Sequence, residues 1–268
     1  MTPVLALATT LIAGSVSIKG SDTMLIMNQQ LAEAFGQRSG SVAIDVSGGG
    51  SSIGINAFIN GTCNVCASSR EIRRSEIEKA RSRGTVAFAT PVALDGLCLA
   101  VNASNQVDSL SMDEIRRIYI GQITNWKQVG GADRAIVVIS RDSNSGTYGF
   151  FQLNVLKNQN WGSGVRFLPS TSEEAREVSR TPGAIAYGGV AYFKGKSNVK
   201  VLGVSAKTGS PPVLPTEQSV RSKTYPIWRY LYYYTDGKPS GDVKKYIDFC
   251  LSAEGQRIVE KVGYYSLR

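Results

Sequence analysis

Histidine does not occur anywhere in the 268 residues. Its absence excludes every Ser-His-Asp or Cys-His mechanism and removes the commonest transition-metal ligand. Cysteine is scarce, with Cys63, Cys66, Cys98 and Cys250 only. The first two form C-x-x-C, but no second pair follows, so the ligand set of a structural zinc is incomplete. Cys98 ("GLCLAV") and Cys250 ("IDFCLS") have apolar neighbours, as small core residues do. All four read as buried thiols, with a Cys63–Cys66 bridge as the alternative. Acidic residues are outnumbered, 21 Asp and Glu against 30 Lys and Arg, giving a net charge of +9. No long basic run accompanies the excess, and the densest patch, residues 70–83, alternates in sign as an exposed helix does. That pattern describes a solvated surface and argues against a nucleic-acid partner. The apolar run at residues 4–13 is too short to span a bilayer. It resembles the apolar part of a secretion signal, although no Lys or Arg precedes it. "LIAGS" (11–15) resembles a lipobox with serine in place of cysteine, so no lipid can be attached there. Residues 1–17 are read as a signal-like leader.

What the chain does contain is a regular alternation of short elements. Apolar content of 42% and charged content of 19% are ordinary for a globular protein, and the length suffices for one large domain or two lobes. "SVSIK" reads as a strand ending at Gly20, after which Met24, Met27, Leu31 and Phe35 recur at helical spacing. Val42, Ile44 and Val46 alternate as a half-buried strand, and a helix follows at 53–58. "TVAFATPVALDGLCLAVN" reads as a long apolar, strand-rich stretch, "AIVVIS" as a buried strand and "YPIWRYLYYYT" as an aromatic one. Ser111 with Glu114, and Thr171 with Glu174, have the spacing of capping boxes. "DVKKYIDFCL" and "EGQRIVEKV" close the chain as helices. The order predicts an α/β fold with a mainly parallel sheet covered on both faces.

Three strand-to-helix turns share one composition: "IKGSDTM", "VSGGGSSIGI" and "SRDSNSGTYGFF". In α/β folds such turns lie at the carboxyl ends of strands, where ligands collect. Each opens a helix whose first N–H groups are free and carry partial positive charge. Glycine admits close approach of the backbone, and hydroxyls add donors. Alone, each turn needs no ligand, because Ser21, Asp22, Ser51 and Ser145 are all good helix-capping residues. Together, and with Arg141 in the third, they suit a tetrahedral oxyanion, since a guanidinium can clamp two of its oxygens. None matches the P-loop pattern, which argues against nucleotide hydrolysis.

From about Ile18 to the C-terminus these motifs, in this order, resemble the PstS family, the periplasmic phosphate-binding proteins of ABC importers. The resemblance rests on "GSDTM", "GGGSS.GI.AFINGT", "ASSREI", "P.ALDGL...VN", "I..IY.G.ITNW..VGG", "SR..NSGTY.FF", "PGAIAYGG", "YPI.RYLY.YT.GKPSG" and "LS.EGQ.IV..VGY". It implies a type II periplasmic-binding-protein fold, two α/β lobes joined by a crossover hinge. Lobe I would comprise 18–102 and 201–268, and lobe II 103–200, with the hinge around "LDGLCLAVN" and "RYLYYYT". It also implies a periplasmic or cell-surface protein that captures inorganic phosphate and delivers it to membrane permease subunits. A monomer without cofactor, metal or catalysis is expected. By motif, Arg141, Ser145, Gly146 and Thr147 match the family's Arg-x-x-x-Ser-Gly-Thr turn, Ser51 its second turn, and Ser21, Asp22 and Thr23 its first. Ser69 or Arg70 falls where some members place an aspartate that accepts a hydrogen bond from protonated phosphate. With no carboxylate there, Asp22 is expected to take that discriminating role, the alternative being that it only caps its own helix. Asn64 replaces a common aspartate, and Trp126 is expected in the core. Sulfate, molybdate or tungstate on the same fold is the nearest rival ligand.

Overall fold

The computed structural model describes residues 14–39 and 42–267. The first thirteen positions of the leader reading therefore lie outside the described residues. Its last four do not: strand β1 spans Gly14–Gly20 and pairs in parallel with β2, Val42–Ser47, from Gly14 onward. Val16 and Ile18 are buried at this junction. Asn64 anchors the same stretch, its Oδ1 accepting from the Ser17 backbone N–H at 2.8 Å and from the Ser17 hydroxyl at 3.0 Å.

Helix α1 (Leu25–Ser39) follows a 3-10 turn at Asp22–Met24, and Met24, Met27, Leu31 and Phe35 all enter the core. Helix α2 (Ser51–Ile59) leads to β3 (Val65–Ser68), which lies parallel to β1 on its other side. Helix α3 is Arg74–Arg81, and β4 is a single run from Ala87 to Asn102. Strand β5 (Ser109–Ser111), α4 (Met112–Tyr119), β6 (Val137–Arg141), α5 (Gly146–Asn154), β7 (Arg166–Leu168) and α6 (Thr171–Arg180) come next. They are followed by β8 (Ala184–Gly189), α7 (Val190–Phe193), β9 (Val199–Val201), β10 (Gly203–Ser205) and α8 (Glu217–Arg221). Strand β11 (Trp228–Asp236), α9 (Gly241–Leu251) and α10 (Ala253–Val262) end the chain.

One sheet runs β2-β1-β3-β11-β4-β8-β6-β7, with β9 also on β4, and β5 pairs with β10 apart from it. It is mixed rather than mainly parallel. Strand β11 is antiparallel to both β3 and β4, and β4 is antiparallel to β8 and β9. Strand direction is set by where the chain returns from, and an apolar pattern carries no such information. Strand β4 joins two half-sheets: residues 87–96 pair with β11, and 97–101 with β8. Every residue from Val92 to Asn102 is buried, which explains its largely apolar sequence. Residues 203–205, placed by sequence with the C-terminal return, instead pair with β5.

The Ser111–Glu114 capping box forms as expected. The Thr171–Glu174 box does not: Ser170 caps α6 by accepting from the Glu173 N–H, and Thr171 is the first helical residue. Trp126 is buried and its Nε1–H donates to the Gly183 carbonyl at 2.9 Å. All four thiols are free; Cys66, Cys98 and Cys250 are buried and Cys63 half-buried. Burial pushes the Cys63 thiol up to about 11, against the opposing pull of Lys19. No helix among the described residues is long and apolar enough to cross a membrane.

Candidate anion-binding site

The three turns meet where the half-sheets face each other, and a fourth segment, after β3, joins them. Thr23 Oγ1 lies 2.9 Å from Thr147 Oγ1. Thr147 Oγ1 lies 3.4 Å from Ser69 Oγ, which is 3.3 Å from Ser51 Oγ. In each contact either hydroxyl can donate, so four buried hydroxyls from four segments form one continuous chain. The Ser69 backbone N–H donates to Ser51 Oγ at 3.1 Å and holds the β3 turn against α2.

Two glycines make this approach possible. A Cβ on Gly146 would collide with Ser51 Oγ and crowd Ser69 Oγ. Gly50 has φ 111°, where side chains are strained, and a Cβ there would strike the Asn144 carbonyl. That carbonyl accepts from the Ser52 N–H at 3.0 Å. The Gly-rich turn of one half-sheet thus touches the Gly-Thr turn of the other without intervening side chains.

Arg141, at the end of β6, is 1% exposed. Its Nε donates to the Leu168 carbonyl (3.3 Å), Nη2 to the Pro169 carbonyl (2.6 Å) and Nη1 to Thr171 Oγ1 (2.7 Å). Asp22 Oδ2 approaches Nη1 at 3.4 Å and accepts from the Thr171 N–H at 2.9 Å. Asp22 therefore does not cap its own turn. It sits at the N-terminus of α6, where the helix dipole favours a carboxylate, and its Oδ1 has no hydrogen-bond partner among the described residues. The Tyr192 hydroxyl donates to the Asp22 carbonyl at 3.0 Å, and the Tyr264 hydroxyl to the Thr23 carbonyl at 2.6 Å.

The other candidates divide. Ser145 caps α5, its Oγ accepting from the Thr147 and Tyr148 N–H groups. Ser21 is buried, with its N–H on the Ala67 carbonyl and its Oγ without a partner. Arg70 turns away from the hydroxyls. Its Nη1 and Nη2 donate to both oxygens of Glu76, at 2.8 and 2.7 Å, and Nη2 also to Ser52 Oγ. Burial alone would raise the Glu76 carboxyl, but the Arg70 and Arg73 hydrogen bonds and charges hold it below the usual range. A guanidinium so matched by a carboxylate adds little charge elsewhere. Of the pair left open by sequence, Ser69 joins the hydroxyl chain and Arg70 does not.

The profile of the PBP superfamily domain matches residues 7–254. The phosphate-binding protein PstS of Bacillus subtilis (strain 168) is 31% identical over 253 residues, covering 94% of this chain and 80% of that protein. PstS of Borreliella burgdorferi is 30% identical, covering 94% and 90%. Among solved structures, a phosphate ABC transporter substrate-binding protein with bound phosphate from Clostridium perfringens superposes with a TM-score of 0.86. It is 30% identical, covering 95% of this chain and all of that one. The chain belongs to the PstS family.

Sequence reading of this PstS chain missed three supports of the site. Asp95 and Arg229 face each other across β4 and β11, with Arg229 Nε and Nη2 at 2.8 and 2.7 Å from Asp95 Oδ2. Arg229 Nη1 donates to the Ser69 carbonyl at 2.9 Å, and Asp95 Oδ1 accepts from the Val190 N–H at 3.1 Å. A charged residue within each of two apolar strands was the available signal. Thr171 is the third, concealed within "STSEE", where two capping registers fit equally well. One turn further on, Glu174 is fully buried with both oxygens unpartnered. Burial pushes its carboxyl well above the usual range, outweighing the pull of Arg141.

Proposed function

We propose that this chain captures inorganic phosphate between its two half-sheets, outside the cytoplasm, and hands it to the membrane permease subunits of an ABC importer. The observation that carries the reading is the continuous chain of four hydroxyls linking turns of opposite half-sheets, beside a buried arginine and two helix N-termini. Such a cluster offers a tetrahedral anion many donors at fixed positions. Charge-assisted hydrogen bonds contribute roughly 1.5–3 kcal/mol each. A handful of them, against association costs of roughly 4 kcal/mol or more, allows about −8 kcal/mol, which is micromolar binding. No covalent step is needed, and we read the protein as a monomeric binder rather than an enzyme.

In this reading the half-sheets are the lobes of a hinged receptor, 18–102 with 201–268 and 103–200. Gly14–Ser17 belong with the first lobe, and β10, paired with β5, with the second. Strands β4 and β11 form the hinge, and closure brings Thr147 and Gly146 onto Thr23, Ser51 and Ser69. The permease would then recognise the closed form.

Asp22 supplies the selectivity. Its Oδ1 can accept a hydrogen bond from a protonated phosphate oxygen, whereas sulfate would oppose one acceptor with another. Titration calorimetry of phosphate-stripped protein tests the function: phosphate is expected to bind at micromolar or lower concentration, and sulfate to give no heat. Tight sulfate binding, or silence from both anions in folded protein, would reject it. In Asp22→Asn the phosphate-over-sulfate ratio is expected to fall roughly tenfold or more; an unchanged ratio would remove Asp22 from the role.

A further inference from the structure

The half-sheets also face each other across a groove beside the hydroxyls. A groove of 710 Å³ lies between α5 and β11, within the roughly 300–1,000 Å³ of small-molecule sites. Tyr148 and Leu153 of α5 line one side, and Trp228, Tyr230 and Tyr232 of β11 the other. The three β11 rings recur at every second residue and so share one face of the strand. Their centroids are 5.6 and 6.0 Å apart at interplanar angles of 88° and 63°. Leu153 is 57% exposed.

Arg70 also lines the groove and makes an independent observation. It is 5% exposed, with Nη1 and Nη2 engaged by Glu76, the Glu71 carbonyl and Ser52, yet its Nε has no hydrogen-bond partner. Buried donors without an acceptor are rare in folded proteins and mark places where one is to be supplied. Gly149 stands beside this atom with no side chain to cover it; a Cβ there would lie 3.5 Å from Arg70 Nε. The groove therefore combines aromatic walls with an unfulfilled donor on a cationic group.

We propose that this groove is a second ligand site, for a flat aromatic carboxylate whose ring packs on Trp228 and Tyr230 and whose oxygen accepts from Arg70 Nε–H. One wall is α5, which carries Gly146 and Thr147 at its N-terminus, and the other belongs to the opposite half-sheet. A ligand spanning both favours the arrangement in which they face each other. This coupling rests on the phosphate reading above, and linkage then requires phosphate and the aromatic ligand to tighten each other by one common factor.

The test titrates indole-3-acetate and 1-naphthoate separately into protein held in saturating phosphate, which keeps the carboxylate out of the anion cluster. Saturable one-site binding is expected, weakened roughly tenfold in Trp228→Ala and in Leu153→Glu, with Leu153→Glu retaining wild-type phosphate affinity when no aromatic is present. Leu153→Glu changes an exposed position and so keeps the test independent of folding. No saturable binding of either probe, or undiminished binding to both variants, overturns the site. A phosphate affinity unmoved by bound probe overturns the coupling alone. Failure of phosphate itself to bind is seen separately, in the titration without probe.

Discussion

Arg141 and Arg229 are both buried near the seam of the two half-sheets, yet their surroundings are opposite in charge balance. Arg229 faces a fully buried carboxylate at 2.7–2.8 Å and spends its remaining Nη1 on the Ser69 carbonyl. Arg141 is held mostly by neutral groups, two carbonyls and a hydroxyl. Its carboxylate contact, to Asp22, is longer at 3.4 Å and shared with the Thr171 N–H. The first arginine is neutralised where it stands and acts as a structural tie. The second is fixed in position while its charge remains incompletely matched, as an anion receptor requires. Arg70 stands between the two, its Nη atoms matched by Glu76 and its Nε without a partner. On the proposed function, charge balance rather than burial or residue type distinguishes the two arginines.

The largest effect that would break this comparison is on stability. Arg229→Met strands the Asp95 carboxylate in the sheet and is expected to cost about 3–5 kcal/mol in urea denaturation. Adding Asp95→Leu should recover much of it. A loss within the ~1 kcal/mol of a surface pair would show that Asp95 is not truly desolvated. Arg141→Lys should instead lower phosphate affinity about 100-fold or more, the loss of about two charge-assisted bonds, with a smaller change in stability. Equal behaviour of the two arginine variants would erase the distinction.

A third effect depends on pH and concerns Glu174, a buried carboxyl with no hydrogen-bond partner. Its folded-state pKa is raised, so the native state binds more protons than the unfolded chain at any pH between the two values. Stability is then lost as pH rises above about 4.3, the ordinary Glu value. Glu174→Gln should be nearly neutral for stability at about pH 4 and increasingly stabilising as pH rises above it, by about 1.36 kcal/mol per pH unit at most. Parallel thermal melts at several pH values check the sign; a variant less stable than wild type at neutral pH would show that the charged carboxylate has a favourable partner.

Much of this was readable from the chain. Element order, the helical spacing of Met24, Met27, Leu31 and Phe35, and the long β4 all follow from periodicity and turn chemistry, which are local properties. The hydroxyl-rich turns were legible because Gly, Ser and Thr after a strand have few other uses in such number. What was not legible depends on pairings distant in sequence. The antiparallel insertion of β11, the Asp95–Arg229 tie and the diversion of Arg70 to Glu76 depend on which segment lies alongside. Thr171 was missed for a smaller reason: Ser170 and Thr171 each offer a hydroxyl three residues before a glutamate, and only packing chooses between them.

The position of β11 also bears on how the protein is made. It fills the gap between β3 and β4, strands complete long before residues 228–236 leave the ribosome. Until then the nascent chain has two unpaired strand edges where the finished sheet has none, and such edges recruit other chains. Closing so long a sequence separation is also intrinsically slow. The chain thus reaches its native pairing only once residues 228–236 have been made, and the sheet stays unfinished until then.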